Sequence, residues 1–152
     1  MIFTLIKSVK ELEGISLSAA YLFMFGSVLA VISILIVFKM FIDKVKRAPE
    51  DRNALQSKFF VGVAIAEVIP IILIVFGFIM SQPVALMGDL LLPAIIIILS
   101  MAFAPFFIFL QTKVDVTKET KGIVTTLAFI GVMLTLSLPI VSLIGLLLLL
   151  PK

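Results

Sequence analysis

The sequence predicts an all-α membrane protein: four transmembrane helices arranged as two tandem helical hairpins. Three observations predict it. Of 152 residues, 62% are hydrophobic and 14% are charged, about half the charged share of a soluble domain. The mean hydropathy is +1.35, which leaves too little polar side chain to cover a soluble surface. The apolar residues also gather into four stretches, each near the length of about 20 residues that a helix needs to cross a bilayer.

The spans follow in order. Residues 1–16 carry Lys7 and Lys10 against Glu11 and Glu13, with Ile2, Phe3, Leu5, Ile6 and Val9 between them. They read as an amphipathic interfacial helix or a frayed tail. A cleaved signal peptide is not expected, because no charged start, apolar run and small-residue cleavage site occur in that order. Span one runs from Leu17 to Met40, and span two from Phe59 to Met80, which closes a first hairpin over 17–80. Residues 81–89 form a linker. The second hairpin, 90–152, holds span three, Leu90 to Leu110, and span four, Ile123 to Leu150. All four stretches are too long for strands and lack the alternation of a closed barrel.

Charge sets the expected topology. Lys44, Lys46, Arg47, Arg52 and Lys58 lie between spans one and two, and Lys113, Lys118 and Lys121 between spans three and four. The linker Ser81–Asp89 has neither Lys nor Arg. The excess of Lys and Arg in cytoplasmic loops places both basic loops inside and both termini outside. The net charge of +3 comes from loops and reports topology, not nucleic-acid binding. There is no Cys and no His, which removes disulfides, thiolate metal sites and histidine acid–base catalysis. No phosphate-binding loop, nucleophile triad, paired carboxylates or metal-ligand cluster occurs, so no cofactor, no metal and no enzymatic activity are expected.

An ungapped shift of 69 residues lays the chain on itself. Phe60-Val61-Gly62-Val63 falls on Phe129-Ile130-Gly131-Val132, and Pro70-Ile71 on Pro139-Ile140. Lys44-Val45 falls on Lys113-Val114, and Glu50 on Glu119. Matched Gly and Pro at one spacing, together with a matched basic loop, argue for a repeat of two hairpins in the same orientation. Gly62, Gly131 and Pro139 are expected to serve helix packing.

Eight of nine acidic residues lie outside the spans or at their ends; the exception is Glu67. It stands about 12 Å into span two at 1.5 Å per residue. A charge there costs from about 3 kcal/mol upward, so the side chain is expected to hold its proton at neutral pH and lose it only beside a cation or water. The matching position in the second hairpin is Leu136. Ala64 and its small neighbours permit close helix approach. Pro70 cannot donate to the carbonyl of Ala66, and a carbonyl freed beside a carboxyl offers the protonated form a partner. Glu67, Ala64 and Pro70 are the candidate ion-binding residues. Thr125, Thr126, Thr135 and Ser137 are spaced for interhelical hydrogen bonds and read as packing.

Arg47-Ala48-Pro49-Glu50, followed by Phe59-Phe60-Val61-Gly62-Val63-Ala64-Ile65-Ala66-Glu67-Val68-Ile69-Pro70-Ile71, resembles the proteolipid of rotary ATP synthases, their c subunit. That family has a basic polar loop and a second helix with the same carboxylate-to-proline spacing. A duplicated hairpin with one carboxylate is similar to the four-helix proteolipids of V-type ATPases, which usually keep the carboxylate in the last helix. The resemblance implies an oligomeric ring in a membrane, with Glu67 as proton carrier releasing its proton beside an Arg of a stator subunit. It also implies that Arg47, Pro49 and Glu50 form the loop that meets the central stalk. The positions after Glu67 are Val68 and Ile69. They lack the hydroxyls a sodium site needs, which favours a proton. A multi-pass protein of a prokaryotic plasma membrane follows.

The first helix of such proteolipids carries a run of glycines, whereas span one has Gly26 and the bulky Phe23 and Phe25. Either the ring is wider, or the protein assembles differently. Two further readings therefore stand beside the rotor: a non-rotary structural or channel-forming oligomer derived from the proteolipid fold, and a small proton-coupled transporter. The transporter is weakened by the lack of a second polar group near Glu67.

Overall fold

The computed structural model describes residues 1–152 apart from the side chains of Leu12, Glu13 and Ser16. Among the described residues every regular element is helical: α1 (Ile2–Arg47), α2 (Arg52–Ala66), α3 (Val68–Ile79), α4 (Leu91–Gln111) and α5 (Lys121–Leu148), with short 3₁₀ turns at Pro49–Asp51 and Met87–Leu90. They make four helical passes long and apolar enough to cross a membrane, with α2 and α3 forming one pass.

Local chemistry sets the boundaries. Helix α1 is 46 residues long, about 69 Å at 1.5 Å per residue, and residues 2–16 continue it without a break. Lys44, Lys46 and Arg47 occupy its last turn, where cations offset the partial negative charge of a helix end. It stops at Ala48, whose φ of −135° and ψ of 69° leave the helical region because the following Pro49 crowds a helical neighbour. Pro49 then opens the 3₁₀ turn, where its missing N–H costs nothing. The second pass starts at Arg52, before the apolar stretch, because the polar residues from Arg52 to Lys58 are themselves helical.

The remaining connections are tied by specific bonds. Asp115 adopts a φ of 52°, a left-handed conformation that Asp tolerates. The Thr117 amide donates to Thr120 Oγ1 at 2.9 Å and the Thr120 amide to Thr117 Oγ1 at 3.3 Å, which fixes the entry to α5. At the opposite end the Val84 amide donates to the Leu149 carbonyl at 2.8 Å, joining the linker to the end of α5.

Helix α1 is the axis of the bundle and packs against each of the other helices. Near the basic loops, Ile34, Phe38 and Ile42 of α1 are buried with Phe59, Ile108 and Leu127. Toward the other end, Phe23 is buried with Ile74, Ile97 and Leu146. The outward faces of the other helices stay apolar and exposed, at Ile65, Ile69, Leu99, Phe106 and Phe129 among others, as a lipid-facing or copy-facing surface requires.

Candidate functional site

Glu67 sits at the junction of α2 and α3. The chain passes through it in near-helical geometry, with φ −82° and ψ −10°. Its amide donates to the Val63 carbonyl at 2.9 Å and its carbonyl accepts from Ile71 at 2.9 Å. The interruption comes from Pro70, which has no N–H for the Ala66 carbonyl. The helix thus keeps its course but loses one rung beside the carboxyl group.

The surroundings of Glu67 are graded. Val63, Pro70, Ile74 and Gly77 form a buried stripe facing α1. Ala64 and Ile71 are exposed, and Glu67 lies half-buried between the two faces. The stripe reaches α1 closely just past the carboxyl: a Cβ on Gly26 would lie 3.2 Å from the Pro70 carbonyl oxygen and 2.8 Å from Ile74 Cγ1. Gly26 is therefore the small residue that lets α1 pass this point. On the other side of Glu67, Gly62 faces Val37 and Phe41, with 3.1 and 3.4 Å for an added Cβ. Two glycines, one on each helix, bracket the carboxyl and fix how near α1 comes.

The other expected residues are distributed as follows. Arg47 ends α1, and Pro49 and Glu50 stand in the 3₁₀ turn at the basic end, far along the second pass from Glu67. Gly131 is buried in α5 against Phe38, 2.9 Å from an added Cβ, and Ile108. Pro139 is buried inside α5. The basic-end turn, the Glu67 site and these two α5 positions remain separate. Among the described residues no group of acidic side chains could hold a metal ion.

One expectation is corrected. The span-four hydroxyls do not bridge helices. Thr125 donates to Lys121, Thr126 to Gly122, Thr135 to Gly131 and Ser137 to Leu134, because a carbonyl of the preceding turn is always within reach.

Sequence reasoning missed how Phe23 is seated. Its ring is buried between α3 and α5, 2.9 Å from an added Cβ on Gly77 and 2.5 Å from one on Gly145, and it meets Phe78 edge-on at 4.9 Å. The bulky residues of α1 thus fill notches that glycines open in the neighbouring helices. The glycines of α3 and α5 were the available signal.

The sequence pattern of a known family, the C subunit of ATP synthase, matches residues 17–80, which contain Gly26, Gly62, Glu67, Pro70 and the turn at 47–50. The ATP synthase c subunit of Alkalihalobacillus alcalophilus is 42% identical over 62 residues, which make up 41% of this chain and 87% of that protein. The ATP synthase c subunit of Halalkalibacterium halodurans is 45% identical over 49 residues, 32% of this chain and 70% of that protein. No solved structure matches the chain significantly. The family pattern stops at the end of the first hairpin, and the second lies beyond it.

Proposed function

This chain belongs to the ATP synthase c-subunit family, and on that premise we propose that it carries protons across the membrane on the carboxyl group of Glu67, as a proteolipid of a rotor ring. The protein itself is non-catalytic. One observation carries the reading: the family-matched residues contain a single acid deep in a span, half-buried between a packed stripe and an exposed apolar face.

The mechanism follows from solvation. In hydrocarbon an ionised carboxylate costs from about 3 kcal/mol upward, so Glu67 travels protonated along the lipid-facing arc. An intramembrane Arg of a stator partner offsets that cost at one place, and there the proton leaves. Reprotonation from the other side completes the transfer. Val68 and Ile69 beside the carboxyl are apolar, and a sodium ion would need several oxygen ligands; the cargo is therefore a proton. Arg47, Pro49 and Glu50 form the contact with the central stalk. The second hairpin, a copy of the first with Leu136 in place of the acid, holds its place in the ring without carrying a proton. The protein spans a prokaryotic plasma membrane with both termini outside.

The test is Glu67→Gln in complexes reconstituted into vesicles. Proton flux is expected to vanish while the oligomer assembles normally. Unchanged flux would sink the proposal. A second reading is favoured by one observation, the seating of Phe23 and Phe38 of α1 where a glycine run would allow tight inner-ring packing. In it the protein is a non-rotary structural or channel-forming oligomer, and Glu67→Gln is tolerated.

A further inference from the structure

We infer that the chain holds an anionic phospholipid against α1 and α4 at the basic-loop end, with the phosphate at Lys39, Lys46 and Arg47 and an acyl chain in the groove beside them. The inference goes beyond the proposed function and meets it at one residue, Arg47, which that reading places at the stalk and this one turns toward a lipid phosphate. Two adjoining features carry it. The first is a polar cleft of about 390 Å³ lined by Lys39, Asp43, Lys46, Arg47 and Asp115. The second is an apolar groove of about 330 Å³ lined by Ile32, Ile36, Met40, Phe103 and Phe107, with Lys39 at its polar end. Lys39 belongs to both, so the two form one continuous surface.

The spacing along α1 explains the continuity. Ile32, Ile36, Lys39, Asp43 and Lys46 recur at alternating steps of four and three, which keeps them on one face of the helix. The face changes from apolar to charged at Lys39, as a phospholipid changes from chain to headgroup. Charge also fits. Three cationic side chains meet two carboxylates in the cleft, leaving one positive charge in excess, the complement of a single phosphodiester.

The cations are held in place. Lys39 Nζ donates to Asp43 Oδ1 at 3.0 Å and to Gln111 Oε1 at 2.7 Å. Lys46 Nζ donates to the Gln111 carbonyl at 2.7 Å. Arg47 makes no ion pair among the described residues, so its guanidinium, whose fork suits a phosphate, is available. A groove meant for a second copy of the chain would not need that charge at its end. The occupant is therefore a lipid.

The chain has no Trp, so Phe103→Trp places a single reporter in the groove. The full-length variant, in mixed micelles, is titrated with phosphatidylglycerol brominated on its acyl chains, and separately with brominated phosphatidylcholine. Phosphatidylglycerol is expected to reach half-maximal quenching at a mole fraction at least about fivefold lower, the effect of roughly one cation–headgroup contact. Adding Arg47→Gln should erase most of that preference without changing quenching by phosphatidylcholine, which also reports that the fold is intact. A reporter at the exposed Phe129 of α5 (Phe129→Trp) should show no headgroup preference. Equal quenching by both lipids at 103, quenching by neither, a preference unchanged by Arg47→Gln, or an equal preference at 129 would each overturn the inference.

Discussion

Phe23 shows how single residues hold this bundle together. Without water to expel, helices in a membrane associate through close packing, and here a ring on α1 fills notches at Gly77 and Gly145. Gly145→Ala would set a methyl group against that ring, whose space on the other sides is already filled by Gly77 and Phe78. Thermal unfolding in detergent should show a loss of about 1–3 kcal/mol, typical of overpacking. Phe23→Leu in the same chain should recover much of it, whereas Gly122→Ala, with nothing within 4 Å of the added carbon, should cost nothing. Ser27 and Ser142 make the opposite case. Both hydroxyls are buried without a hydrogen-bond partner among the described residues, and an unpaired buried hydroxyl opposes folding. Ser142→Ala should leave the unfolding temperature unchanged or higher; a marked fall would show that the hydroxyl has a partner after all.

At the level of elements, the ends of α1 and α4 are tied through Gln111. Its side chain accepts from Lys39 and its main-chain carbonyl from Lys46. Gln111→Leu removes only the first bond, at a partly exposed site, so about 0.5–1.5 kcal/mol of stability should be lost in the same unfolding measurement. A loss several times larger would mean that the Lys46 bond falls with it. The four passes were legible from hydropathy alone, since nothing else explains stretches such as Leu91–Leu99. Their ends were less so. The second pass begins at Arg52 instead of near Phe59, because hydropathy marks where a helix enters lipid and not where it starts. Glu67 was legible as the one acid in a span, and Pro70 as the break beside it. The notches around Phe23 were not, because they join residues distant in sequence, and a Phe in an apolar run carries no sign of which Gly it will meet. The hydroxyls of α5 were misread for a related reason: spacing shows which face a Thr occupies, while its own preceding turn competes for the bond at every position.

In the proposed function the molecule uses two hairpins for one carboxyl group. Helix α1 lies at the centre and the other passes leave broad apolar faces outward, enough surface for neighbouring copies and lipid alike. In a ring, each copy would advance one proton per four passes, so the ring would carry half as many sites as one built from single hairpins of the same number of helices. Family membership rests on the first hairpin, and the ring and its partners follow from it by proposal. The native mass of the complex, extracted gently from the membrane, bears on them at once. A ring of many copies bound to soluble ATPase subunits is the expected result. A bare ring, or a small oligomer free of such subunits, would contradict the rotor and leave the chain a structural or channel-forming assembly.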